Sequence, residues 1–182
     1  TADVERSFGN KKTWDTTFED HFVKFVEEAN NAVFDNQRKN QAFNSDIFDL
    51  HLPKVDLVYI DTPYISANAV GLNYLDFYHF LEGIVSYDEW KNLIDEKSKH
   101  KKLQSGKNDW CNKDEIHGAF ERLFDTFKDS ILIVSYRDDG IPKIAELVNM
   151  LKKYKKSVEV KKLDYKYVLS NGNSKEVLII AQ

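Results

Sequence analysis

The chain has 182 residues, 42% hydrophobic and 31% charged, with a formal net charge of -4. This is a globular composition, long enough for one domain with a real core, and no apolar run approaches the roughly 18 residues of a membrane span. The single cysteine, Cys111, excludes an internal disulfide framework and a cysteine-rich zinc site and suits a reducing, cytoplasmic setting.

Residues 1–15 have no clear periodicity. Phe18, Phe22, Phe25, Val26, Ala29 and Val33 then share one helical face, and Thr16 with Glu19 reads as a capping box, so a helix is predicted over 17–34. A polar turn over 36–40 leads to a short strand at 41–44. The apolar run Val55 to Ile60 predicts a strand buried on both faces, as in a parallel sheet. Helices rich in Leu, Phe and Tyr are predicted at 73–85 and 87–95, followed by a lysine-rich loop at 96–112. Ile116, Ala119, Phe120, Leu123, Phe124 and Phe127 mark an amphipathic helix. Ile131 to Val134 is a second buried strand ending at Ser135, and Pro142 opens the next helix, whose core face is Ile144, Leu147, Val148 and Leu151. Alternation at 157–162 and at Tyr165, Tyr167 and Leu169, then the Asn171–Gly172 turn and Val177 to Ile180, complete the pattern. Alternating helices and strands argue for an α/β fold with a mostly parallel sheet and a C-terminal antiparallel strand.

Charge is distributed unevenly. Lys97, Lys99, Lys101, Lys102, Lys107 and Lys113 face one acid, Asp109, across 97–113, and 152–166 is similarly lysine-rich. Such stretches are either solvated surface or local phosphate contacts.

Ligands of open α/β sheets gather at the carboxyl ends of strands. The strand ending at Ile60 runs into Asp61-Thr62-Pro63-Tyr64. This turn resembles the (Asp/Asn)-Pro-Pro-(Tyr/Phe) motif of S-adenosylmethionine-dependent amino methyltransferases, in particular the adenine-N6 DNA methylases of the Dam-like, D12 class. The chemistry accounts for the residue types. An adenine amine is a poor nucleophile because its lone pair is delocalised into the ring. Asp61 and a backbone carbonyl of the turn each accept a hydrogen bond from it, favouring a tetrahedral nitrogen aimed at a methyl donor. Pro63 stiffens the turn and Tyr64 offers a ring on which a flipped base stacks. Thr62 stands where the motif has its first proline, which puts the turn's rigidity in question but keeps the carbonyl.

The resemblance implies more. Asn44 to Phe48 is similar to the family element whose acid meets the cofactor's adenine amine, which gives that role to Asp46 and the ring contact to Ile47. Ser135 or Tyr136, at the exit of the second strand, would line the base or cofactor pocket. Tyr165 or Tyr167 would help hold the flipped base. The implied cofactor is S-adenosylmethionine, with no metal, and the implied partner is double-stranded DNA. Residues 1–40 read as the tail of a target-recognition region plus a helix, and 41–182 as the catalytic portion of a restriction-modification or Dam-like enzyme.

One family element is missing from the sequence. The Phe-x-Gly-x-Gly loop that passes the cofactor's methionine end has no counterpart, since Phe8-Gly9 lacks the second glycine. With Thr1 in first place and Met150 the only methionine, the chain reads as the C-terminal part of a longer protein. On that expectation the strand ending at Asp61 has an uncovered edge, filled by another chain, by a copy of itself or by the missing segment. The chain alone would then be weakly active or inactive. Two alternatives stay open: a non-catalytic remnant that binds DNA or a subunit, and an amino methyltransferase acting on cytosine N4, RNA or protein.

Overall fold

In the computed structural model, residues 15–68, 71, 73–104, 106–166 and 175–182 are described. The chain divides into two units with the boundary between Ser45 and Asp46.

The first unit contains helix α1 (Phe18–Ala32). Its cap is Thr17, one residue later than the sequence suggests: Thr17 Oγ1 accepts from the Asp20 N–H at 3.1 Å. Residues 41–44 form no strand, because no described segment offers their backbone a ladder.

The second unit is built on a four-stranded sheet in the order β1-β2-β4-β3. The strands are β1 (Leu57–Ile60), β2 (Ile131–Arg137), β3 (Val158–Lys166) and β4 (Lys175–Ala181). Among the described residues, only β1 and β2 pair in parallel. β4 runs antiparallel to both β2 and β3. The expected mostly parallel sheet is therefore a mixed, mostly antiparallel one. The reason lies in connection length. β1 and β2 are joined by a long helical crossover, as parallel strands require, whereas β3 and β4 are close in sequence, ending at Lys166 and beginning at Lys175. The alternation at 157–162 falls on β3, which pairs antiparallel with β4.

Burial across the sheet follows the period of two. Leu132, Val134 and Tyr136 of β2 lie opposite Ala181, Ile179 and Val177 of β4 and are buried together. Helices α5 (Ile116–Thr126) and α6 (Ile144–Leu151) contribute Phe120, Leu123, Phe124, Leu147 and Leu151 to the same core. The other face carries Leu57, Tyr59 and Ile131, which are exposed by 49%, 54% and 37%. β1 is an edge strand among the described residues.

The crossover departs from its sequence reading. The expected pair of helices becomes three short ones, α2 (Tyr74–Phe77), α3 (His79–Val85) and α4 (Trp90–Leu93). The chain leaves helical geometry at Tyr78 (φ -109°, ψ 24°) and at Ser86 (φ -106°, ψ 41°). Residues 94–104 return as a tight loop: Ile94 pairs with Leu103, and the Gln104 N–H donates to the Leu93 carbonyl at 2.7 Å. Several of the lysines expected at the surface are spent in local ion pairs, Lys102 with Asp76 (2.6 Å) and Lys153 with Glu121 (3.0 Å) among them. Helix α6 begins at Ile144, after Pro142 rather than on it.

Two glycines make close packing possible. A Cβ on Gly83 would lie 2.1 Å from the Trp90 indole, and one on Gly140 would lie 2.6 Å from the Tyr136 ring. Gly140→Ala must displace Tyr136 or the turn beside it, an overpacking cost of about 1–3 kcal/mol. Urea unfolding of the variant is expected to show that loss, and an unchanged midpoint contradicts the packing.

Candidate active site

The turn after β1 is fixed at both ends. Ile60 is buried in the core, and Ile65, fully buried, accepts from the Ile141 N–H at 3.0 Å. Between them Asp61 is exposed, while Thr62, Pro63 and Tyr64 are half-buried. The Tyr64 hydroxyl donates to the Asp61 carboxylate. Its ring meets the edge of Tyr136, with centroids 5.3 Å apart at 86°. Tyr64 is therefore held at its hydroxyl and supported from the core side.

Thr62 Oγ1 is buried and has no hydrogen-bond partner among the described residues. An unsatisfied buried hydroxyl costs roughly 1–3 kcal/mol.

The strand exit at Ser135 lies differently from expectation. β2 continues to Arg137, so Ser135 and Tyr136 are interior strand residues, 1% and 0% exposed. They point to opposite faces, yet both reach Tyr64. Ser135 Oγ lies 3.4 Å from the Tyr64 hydroxyl and donates to Glu176 Oε1 at 2.7 Å. Tyr136 packs on Phe120, 5.6 Å between centroids, and its hydroxyl donates to the Ile141 carbonyl. Burial pushes the Tyr136 phenol up to about 12. It is a core residue that buttresses the turn.

A separate cleft of about 440 Å³ is lined by Asp46, Phe48, Asn73, Tyr74, Trp110 and Arg122 among others, and by no residue of the Asp61–Tyr64 turn. Asp46 starts a tight turn by accepting from the Phe48 N–H at 2.9 Å. Phe48 and Trp110 lie nearly parallel, 8° apart with centroids at 6.3 Å, and the Arg122 guanidinium sits 3.5 Å from the Phe48 ring centre. Ile47 packs against the core instead of lining the cleft. Tyr74 ties cleft to turn: burial and then the nearby Asp61 charge push its phenol up. Tyr165 is on the backbone of β3, and Tyr167 lies outside the described residues, as do residues 1–14 and the Asn171–Gly172 turn.

Sequence reasoning missed Tyr74, Trp110, Arg122 and Glu176. An aromatic-rich segment around Tyr74 and Trp110 was a signal. Glu176 gave none, because its contact with Ser135 depends on β4 inserting beside β2.

The donor set suits a nucleoside in part. Asp46 is an acceptor for an exocyclic amine, and the Phe48 and Trp110 rings provide flat surfaces for a base. No described group of three or more His, Cys, Asp or Glu is arranged to hold a metal ion. Among the described residues, no helix is long and apolar enough to cross a membrane.

Replacing the orphaned hydroxyl tests the turn directly. Thr62→Val keeps shape and removes the unsatisfied group, so thermal unfolding should shift upward by about 1 kcal/mol of stability. A lowered melting temperature contradicts the burial of an unpaired hydroxyl.

Comparison with known proteins agrees with the motif. Residues 2–150 match the model of the D12 class N6 adenine-specific DNA methyltransferases. The chain is 32% identical over 158 residues to the modification methylase StsI of Streptococcus sanguinis, an overlap of 79% of this chain and 21% of that protein. It is 28% identical over 173 residues to the type II methyltransferase M2.HphI of Haemophilus parahaemolyticus, covering 93% of this chain and 46% of that one. With the type II methyltransferase M.FokI of Planomicrobium okeanokoites it shares 30% over 124 residues, 67% of this chain and 18% of the relative. The chain thus spans less than half the length of these relatives. No solved structure matches it. With four-fifths of its residues inside the matched region and its Asp61–Tyr64 turn at a strand end, the chain belongs to the family of D12 class N6 adenine-specific DNA methyltransferases.

Proposed function

We propose that this chain carries the acceptor half of a DNA methyltransferase that moves a methyl group from S-adenosylmethionine to adenine N6, in a restriction-modification or Dam-like setting within the cytoplasm. The observation that carries the reading is the Asp61–Tyr64 turn, an exposed carboxylate bonded to a supported tyrosine at the carboxyl end of a parallel strand.

On this reading a flipped adenine enters beside Asp61. The Asp61 carboxylate and the Thr62 carbonyl accept from its amine, and Tyr64 presents its ring to the base. Pro63 limits the turn's freedom. Asp46 accepts from the amine of the cofactor's own adenine beside the Phe48–Trp110 pair, with Ile47 behind them against the core. When bound, the cofactor supplies an electrophilic methyl group. The chain's residues do the rest: they orient the amine and hold the flipped base against Tyr64. Tyr165 and Tyr167 remain candidates for the flipped base, and residues 1–40 for the tail of a DNA-recognition region. The groove for the methionine end has no counterpart in the sequence, so the chain alone is weakly active or inactive.

The test uses the chain with and without a segment that carries the Phe-x-Gly-x-Gly loop. Methyl transfer to DNA is expected only with the segment supplied, and Asp61→Ala is expected to lower it at least about 100-fold. Absence of transfer to any DNA in the complemented form supports a non-catalytic remnant instead.

The open edge of β1 and the exposed Leu57 and Tyr59 favour that same segment as the partner, bound by strand addition. Hydrogen exchange reads this out. Outward-facing amides of β1 should exchange fast in the isolated chain and become protected on adding the segment. Unchanged exchange on addition rejects strand pairing.

A further inference from the structure

The hydrogen-bonded path that begins at Asp61 continues past Tyr64. The Tyr64 hydroxyl donates to Asp61 and lies 3.4 Å from Ser135 Oγ, which donates to Glu176 Oε1 at 2.7 Å. Two carboxylates therefore face each other across two hydroxyls. Each hydroxyl has a single proton to give. With both acids ionised, the Tyr64 proton goes to Asp61 and the Ser135 proton to Glu176. The 3.4 Å contact between the two oxygens then holds no proton.

One added proton completes the chain. A protonated Asp61 donates to Tyr64, Tyr64 turns its hydroxyl to Ser135, and Ser135 keeps donating to Glu176. Ser135 is only 1% exposed, which makes it a poor place for a hydroxyl that merely fills space. The strand alternation of β2 provides the arrangement, Tyr136 supporting the Tyr64 ring from the core face while Ser135 meets its hydroxyl.

We propose that Glu176 is a positioning residue that draws the proton released by the target amine away from Asp61, through Tyr64 and Ser135. The proposal rests on the adenine-methylation reading. The amine nitrogen forms a bond to the methyl carbon, and the donor's carbon–sulfur bond breaks with its electron pair left on sulfur. The N–H bonding pair stays on nitrogen and the proton passes to the Asp61 carboxylate. One proton then shifts along each link, so that Glu176 ends protonated and each hydroxyl again holds one proton. The charged residues near Glu176 include Arg137, opposite it in the ladder, Asp139, paired with Arg137, Asp138, which accepts from the Lys175 N–H at 2.9 Å, Lys175 itself, and, by backbone register, Lys162 and Lys166 of β3, the partners of Val177 and Lys175.

Glu176→Gln separates the roles. Glutamine still accepts from Ser135 but cannot take the proton. In the complemented, methyl-transferring form, single-turnover transfer near neutral pH is expected to slow about tenfold with DNA binding unchanged. The deficit is expected to narrow as pH rises and solvent takes the proton. Ser135→Ala, which cuts the chain, is expected to repeat that profile and serves if Glu176→Gln melts early. A wild-type rate at every pH, or a deficit constant with pH, overturns the relay. A second readout uses the chain alone. The tyrosine ζ-carbon resonance of Tyr64 is expected to shift as Asp61 is protonated, with a smaller shift in Ser135→Ala. A Tyr64 resonance that ignores Asp61, or one that Ser135→Ala leaves unchanged, also overturns it. If the wild-type complemented form transfers nothing, the methylation reading fails, and the resonance alone decides the relay.

Discussion

The site depends on one buried ring. Tyr136 is fully buried, packs on Phe120, anchors its hydroxyl on the Ile141 carbonyl and presents its edge to Tyr64. Gly140 leaves it room. Because Tyr136 cannot move without opening the core, Tyr64 cannot move either, and Asp61 is held through the Tyr64 hydroxyl. The exposed carboxylate of the turn thus inherits its position from the packing between β2 and α5.

The same packing extends toward the cleft. Phe120 meets Trp110 edge-on at 5.3 Å, and Trp110 lies parallel to Phe48. A continuous set of rings therefore runs from the turn at Asp61 to the cleft at Asp46. On the proposed function, these rings would fix the separation between the turn at Asp61 and the cleft at Asp46.

Much of this was legible in the sequence. The apolar run before Asp61, the amphipathic face of α5 and the run of β2 are strong local patterns and form the expected elements, but β1 is buried on one face only, Leu57 and Tyr59 being exposed where burial on both faces was expected. The position of the turn was readable too: Asp61 to Tyr64 follows β1 directly, and the Tyr64 hydroxyl meets the Asp61 carboxylate. What escaped was long-range. The sheet's mixed character depends on β4 inserting between β2 and β3, which no local pattern encodes. For the same reason Ser135 read as a strand exit, although it is an interior residue bonded to Glu176. The break at Tyr78 was hidden by a continuous run of Leu, Phe and Tyr, whereas the one at Ser86 falls between the two helices expected there. Phe48 rather than Ile47 faces the cleft because the turn at Asp46 rotates the chain by one position.

The proposed function requires that Asp61 and the adjoining carbonyl act on an adenine amine. The most direct measurement is nucleoside mass spectrometry of DNA treated with the complemented protein and S-adenosylmethionine. N6-methyladenine as the modified nucleoside is the result the account requires. N4-methylcytosine in its place would contradict it.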